Sequence, residues 1–355
     1  MNLLKKCAAV LLTGAMVLSL AGCGSDSDWI MKSGELTMPV GVYVNSLLEN
    51  YYVASAMVED KDADVLSQTV EGKDASQWII DESLKTVYEN MGIYAKFEEM
   101  GLELSEQELA TCESKAASYY QQAQENLKKN NITQEDLEMM YQLTYMKVDL
   151  FNALYGEGGT EEIPEEELRQ YYEDNYIKMA VEGFQLPDEL ASDASEEEKQ
   201  EYQEQLEQTR AEAEKLYQQA QQGAAEGKSW DEVLNEYKSI DPETGEKDES
   251  YDMSSSNYRL LDTATTTLNS EVITALKNAK QGEVIFIEAQ TMLAVGATTD
   301  INADPTDYEF VVDMIRHAIK DEEFSQEMQQ LAQGEGFTLN EQALETYSPD
   351  KITTM

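Results

Sequence analysis

The chain has 355 residues, with 71 Asp and Glu against 25 Lys and Arg and a formal net charge of −46. Its length is enough for two domains. The acidity argues against nucleic acid as a partner, because phosphate binding needs clustered Lys and Arg, and it repels anionic lipid and wall polymers.

The chain opens with Lys5 and Lys6, then an apolar stretch from about Ala8 to Leu20. That stretch is too short to cross a bilayer as a permanent helix. A charged start, a short apolar middle and small residues before a cut describe a secretory signal. Leu20-Ala21-Gly22-Cys23 resembles the lipobox of bacterial lipoproteins. The resemblance implies removal of the signal and a thioether-linked diacylglycerol on Cys23. Two acyl chains give stable anchoring where one holds weakly. Gly24 to Asp28 reads as a polar tether. Of the remaining cysteines, Cys7 lies in the signal. Cys112 is then alone, which precludes an intrachain disulfide, and falls in an apolar helical stripe with Leu109, Ala116 and Ala123. Such a cysteine is a small buried hydrophobe.

Helical periodicity dominates the mature chain up to about Tyr172. Tyr43, Leu47, Tyr51, Ala54 and Val58 form one stripe; Asp60 to Lys73 reads as a polar loop; Ile80, Leu84, Val87, Met91 and Tyr94 form the next, stopped near Gly101. Ser105 and Glu108 make a capping box that opens a helix to about Lys129. Thr133-Gln134-Glu135-Asp136 starts another, with Leu137, Met140, Thr144, Val148, Phe151 and Tyr155 on one face, ended by Gly156 to Gly159. Pro164 suits the first turn of a short helix through Tyr172. This first part reads as all helix.

From Tyr176 the texture changes. Ile177 to Leu186 predicts a strand. A long, mostly solvated helix runs from about Ser195 to Gln222, with sparse apolar positions at Tyr202, Leu206, Ala213, Leu216 and Ala220. Ser229 caps a short helix with Trp230, Val233, Leu234 and Tyr237 on its inner side; Asp241 to Ser256 reads as a polar loop. A helix near Ser270 to Lys280, a turn at Gln281-Gly282, and strands over Val284 to Glu288 and Met292 to Val295 complete a small α+β unit. Pro305 starts the last helix, with Val312, Ile315, Ile319 and, after a turn, Leu331. The single histidine, His317, falls outside that stripe and is expected at the surface.

Five segments, Tyr94 to Ser105, Ile163 to Tyr172, Gly227 to Leu234, Gly282-Glu283-Val284 and Thr346 to Ile352, stand in a telling order and spacing. Together they resemble the PrsA-type foldase lipoproteins of Gram-positive bacteria, relatives of the chaperone SurA. The resemblance implies a mainly α fold with an inserted α+β domain: a SurA-like helical chaperone domain, completed by a C-terminal helix, around a parvulin-like insert. The implied boundaries are 1–22 for the signal, 23–34 for the lipidated tether, 35–174 and 303–352 for the discontinuous chaperone domain, and 175–302 for the insert. The resemblance also implies a place on the outer face of the cell membrane, unfolded or partly folded secreted proteins as partners, and no cofactor or metal. It leaves a homodimer open.

The chain departs from the family where catalysis is concerned. Active parvulins carry one histidine on the first strand and another on a last strand. By order these fall at about Gly183 and Met292. The residues lining a parvulin proline pocket fall near Leu268 and Val272. The family's glycine-rich loop is replaced by Asp252 to Asn257. Amide rotation has a barrier of roughly 18–20 kcal/mol, and lowering it needs an apolar slot plus polar groups that favour the twisted amide. The expected role is therefore client binding without isomerase catalysis. An active prolyl isomerase and a solute-binding lipoprotein are the alternatives, the latter expecting alternating strands and helices.

Other constellations read blandly. Asp241 to Ser250 lacks the ligand spacing of an EF-hand. One histidine and one thiol do not make a zinc site. Tyr51, Tyr52, Tyr119, Tyr120, Tyr141, Tyr145, Met139, Met140 and Met146 crowd the helical part. They read either as helix packing or as an adaptable cradle for client segments.

Overall fold

The computed structural model describes residues 27–241 and 244–354. The signal, Cys23 and the start of the tether lie outside the described residues. The chain divides into two compact units, one made of residues up to Leu154 and from Asp321 onward, the other of Tyr155–Lys320. The boundaries expected for the insert, 175–302, fall inside the second unit. The architecture is mainly α with an α+β portion, and every strand pair among the described residues is antiparallel.

The first unit begins with a correction. Part of the segment expected as tether is strand β1 (Trp29–Ser33), which turns at Gly34 into β2 (Leu36–Pro39). Ile30 and Met31 are buried, so this region is core and not linker. Helix α1 (Val40–Met57) comes directly after and buries Tyr43, Leu47 and Ala54 as its stripe requires. The loop expected over 60–73 contains a short hairpin, β3 (Thr69–Val70) and β4 (Lys73–Asp74). Helix α2 (Ala75–Glu99) is capped by Asp74 and stops where Gly101 takes φ +66°. It buries Trp78, Ile79, Val87, Met91 and Phe97, while Ile80, Leu84 and Tyr94 sit at the edge of the buried face.

Helix α3 (Glu106–Lys129) carries the expected Ser105–Glu108 capping box and buries Cys112 and Ala116. Burial pushes the Cys112 thiol up and keeps it protonated. Helix α4 (Gln134–Tyr155) is opened by reciprocal Thr133–Asp136 hydrogen bonds. Its buried face differs from the expected stripe. Thr144 and Val148 are exposed, and Leu143, Met146, Leu150 and Leu154 are buried instead. Asp136 and Gln142 also lie on that face, and two polar residues there disguise its period.

The C-terminal part of the first unit closes its core. The last helix runs unbroken as one element, Pro305–Ala332, without the turn expected before Leu331; its residues from Asp321 belong to this unit. Phe324 meets Phe151 edge to face, with centroids 5.6 Å apart. A Cβ on Gly92 would stand 2.0 Å from the Met328 carbonyl oxygen, so glycine permits this close helix approach. A three-residue strand at Phe337–Leu339 pairs with β1. It was not expected, nor was the helix Glu341–Thr346. Asn126 and Asn130 then hold the Thr353 backbone through hydrogen bonds of 2.7–2.9 Å.

In the second unit, helix α5 (Glu165–Asn175) starts after Pro164 and leads into β5 (Tyr176–Gln185). Helix α6 (Glu196–Glu226) has a Ser195–Glu198 capping box, buries Ala213, Leu216 and Ala220, and exposes most of its acidic length. Helix α7 (Trp230–Lys238) has a Ser229–Glu232 box. The polar loop after it leads to a strand with no local sequence signal, β6 (Arg259–Asp262). Helix α8 (Ser270–Asn278), β7 (Ile285–Glu288) and β8 (Met292–Thr299) come next. The sheet order is β6-β5-β8-β7. The unit ends with the Pro305 to Lys320 portion of the last helix, called α9 below.

Candidate functional site

Strand β5 is covered on both faces, which is why buried apolar residues occur on each of them and not in strict alternation. Ala180 and Phe184 point to one face, where Ala213 and Leu216 of α6 and Trp230 and Leu234 of α7 pack on Leu293 and Val295. The Trp230 indole Nε1 donates to the Ala180 carbonyl at 3.0 Å, so the buried ring leaves no orphan donor. Ile177 and Met179 point to the other face, where α8 packs Val272, Ile273 and Leu276 against Ile287 and Ala294.

The α8 face holds the positions singled out from the sequence. Leu268, Val272 and Met292 belong to one apolar cluster. Gly183 pairs with Ala294, two residues along β8 from Met292. A Cβ built on Gly183 would lie 2.4 Å from the Met292 methyl carbon, so the Met292 side chain lies over that glycine. Four positions scattered over 110 residues thus meet on one face. What they form is hydrocarbon packing. Val272 is fully buried and cannot line an open slot. The polar groups nearby serve the fold. Asn269 accepts from the Glu271 and Val272 amides, and Glu271 accepts from the Gln290 amide at 2.7 Å. Gln185 donates to the Thr291 carbonyl.

The more open feature lies at the β6 end of the sheet. A groove of about 890 Å³ runs between β6, the threonine-rich segment after it, and α9. Its walls include Tyr176, Leu260, Leu261, Phe310, Val311 and Met314. Phe310 is 81% exposed and Met314 50%. Sequence reasoning missed this groove. Phe310 and Met314 lie off the inward line of Val311 and Ile315, and that offset was the available signal.

An aromatic and charged cluster fixes the α9 wall. Tyr308 packs on Tyr172, with centroids 5.3 Å apart, and lies under the Arg169 guanidinium at 4.2 Å. Its hydroxyl donates to Glu165, which also pairs with Arg169 at 2.7 Å. Tyr172 donates to the Ile301 carbonyl at 2.9 Å. Burial pushes both tyrosines up to about 12, so they stay neutral donors. Lys178 of β5 pairs with Asp307, and both side chains are largely buried.

Other sequence candidates disperse. Of the tyrosine and methionine group, Met146 is buried, Tyr52 and Tyr119 are exposed, and the rest are half-buried. Lys115 lies over the Tyr141 and Tyr145 rings. His317 is half-buried on α9 instead of at the open surface. Among the described residues no group of three or more His, Cys, Asp or Glu is placed to hold a metal, and no helix is long and apolar enough to cross a membrane.

No family model and no curated protein matches the chain. Among solved structures it is similar to the foldase protein PrsA from Lactococcus lactis, at 13% identity and TM-score 0.38, covering 90% of this chain and 98% of that one. It is also similar to the foldase protein PrsA from Streptococcus pneumoniae, at 15% identity, 80% and 96% coverage and TM-score 0.28. A peptidylprolyl isomerase (PrsA) from Bacillus anthracis gives 14% identity, 70% and 95% coverage and TM-score 0.28. Similarity at this level carries no functional weight by itself.

Proposed function

We propose that the chain is a lipid-anchored extracytoplasmic chaperone of the foldase type. It holds partly folded secreted proteins and does not catalyse prolyl isomerisation. Cys23 is the proposed anchor, and the outer face of the cell membrane is the proposed location. The observation that carries the reading is the groove wall of Phe310 and Met314, large apolar side chains left in water. Burying one such side chain against a client yields roughly 1.5–3 kcal/mol. The ordering cost of a flexible client keeps net affinity modest and allows release. No cofactor is needed for this role.

The absence of catalysis rests on the α8 face. An isomerase must receive a proline ring and stabilise a twisted amide. Here Val272 is sealed, Met292 covers Gly183, and neither position offers a hydrogen-bonding side chain. The uniformly antiparallel pairing weighs against the solute-binding alternative.

The test compares the chain from Gly24 onward, which contains every described residue, with its Phe310→Ser/Met314→Ser variant. The native chain is expected to suppress aggregation of a diluted, unfolded secretory client, and the variant to lose most of that effect while keeping its helical circular dichroism. Equal suppression by both proteins would remove the groove from the account.

A further inference from the structure

Strand β6 is an edge of its sheet, and edge strands expose unpaired backbone groups. Its register on β5 shows which groups those are. Tyr176 pairs with Asp262 and Met179 with Arg259. One step beyond, the Thr263 amide donates to the Asn175 carbonyl at 2.8 Å. In an antiparallel ladder successive residues alternate in direction. Thr263, Leu261 and Arg259 therefore face β5, and Leu260 and Asp262 face the open edge. The Asp262 carbonyl is taken by the Thr266 amide at 3.1 Å. The N–H and C=O of Leu260 and the N–H of Asp262 are left without a partner among the described residues.

Three features coincide at this edge: free main-chain groups, an apolar groove beside them, and charge of one sign. The charged side chains of the groove lining, Asp262 and Asp307, are both acidic. Asp307 is neutralised by Lys178, and Asp262 is not engaged by any cation among the described residues. The chain as a whole carries nearly three acids for each base. We infer that the groove captures an extended, apolar client segment with Lys or Arg among its residues, which adds as a fifth strand beside β6. Main-chain hydrogen bonds supply affinity independent of sequence, and alternate apolar side chains drop onto Phe310, Met314 and Leu260. This is the general mode of strand addition. Acidic surroundings select cationic segments and speed their encounter. The inference rests on the client-holding reading and names the conformation and charge of what is held.

The experiment uses the chain from Gly24 onward and a capped nonapeptide of alternating leucine and lysine, followed by fluorescence anisotropy. Two further peptides carry backbone N-methyl groups, one on the leucines and the other on the lysines. Strand addition uses only one set of alternate amides, so one methylated peptide should bind at least about 10-fold more weakly and the other should bind like the parent. Replacing lysine by glutamate should weaken binding, as should Phe310→Ser, and raised salt should weaken binding of the lysine peptide. Equal loss with both methylated peptides, or with neither, overturns strand addition. Equal binding of the glutamate peptide overturns the charge preference. Aggregation suppression is measured in parallel. If the chain suppresses aggregation but binds no peptide through Phe310, the inference fails and the client-holding reading survives. If it does neither, both fail. If Phe310→Ser instead converts a dimer to a monomer in ultracentrifugation and no peptide binds, the groove is a self-association surface and the inference is wrong.

Discussion

The α8 face of the sheet and the β6–α9 groove are built from similar residues and left in opposite states. On the α8 face, Val272 is sealed with Ile177, Met179 and Leu276, and Leu268 and Met292 pack half-buried against that cluster. In the groove, Phe310 and Met314 stand in water beside a free strand edge. Soluble proteins rarely leave large contiguous apolar surface uncovered without a use for it. The contrast teaches that apolar character alone does not mark a binding site. Exposure and an adjacent polar grip do. A slot that has been filled contributes to stability, and a slot left open contributes to recognition.

Core substitutions should separate the two most strongly. Trp230→Ala should cost about 3–5 kcal/mol in urea unfolding, combining a cavity with loss of the indole hydrogen bond to the Ala180 carbonyl. Leu276→Ala, under the α8 face, should cost about 2–5 kcal/mol. Phe310→Ser should stay within about 0.5 kcal/mol of the native chain while abolishing most client binding. A large stability loss at Phe310 would mean the groove wall is structural and would break the contrast.

Replacing the two positions where active parvulins carry histidine is the next test. Gly183→His must displace the Met292 side chain, and the overpacking should cost about 1–3 kcal/mol. Gly183→His/Met292→His should gain no isomerase activity in a proline-peptide assay, because Val272 still closes the slot. An appreciable rate from the double variant would show that the face can open. Gly183→Ala should cost less than about 1 kcal/mol, since only the tip of a flexible methionine has to move.

The smallest effect is a control on neither face. Burial pushes the Glu89 carboxyl up, but hydrogen bonds from Lys147 and Ser325 together hold it below its ordinary value. A lowered folded pKa stabilises above the unfolded value, and that contribution is lost as pH falls through the folded one. Lys147→Met should therefore lower stability near neutral pH by no more than about 1 kcal/mol and flatten the acid limb of the profile. Client binding should be unchanged. A binding change in this variant would mean that groove and helical unit are not independent.

Much of the fold was legible because local signals were strong. The capping box at Ser105 and the cap at Ser229 mark two helix starts to the residue, since such hydrogen bonds depend only on local spacing. The strand expected over 177–186 is likewise present as β5. What failed depended on distant partners. β1 reads as tether, though Trp29, Ile30 and Met31 form an apolar run just before the turn at Gly34. It pairs with β2 directly after it, and its other partner lies about 300 residues away and has three residues. β6 is four residues long and leans on β5, and nothing local announces it. The α4 stripe went astray because Asp136 and Gln142 are buried with partners, and a hydrophobic period cannot include them. The four pocket positions follow from order in the chain. Only the β5–β8 register and the α8 packing show that they meet, and that Met292 fills the space.

The central claim is binding without catalysis, and one refolding experiment addresses both halves. An aggregation-prone client whose slow phase is limited by proline isomerisation, on the scale of tens of seconds or more, is diluted from denaturant with and without the chain from Gly24 onward. The account predicts a higher soluble yield and an unchanged slow-phase rate. A slow phase that accelerates at substoichiometric protein would contradict it, since only turnover produces that result.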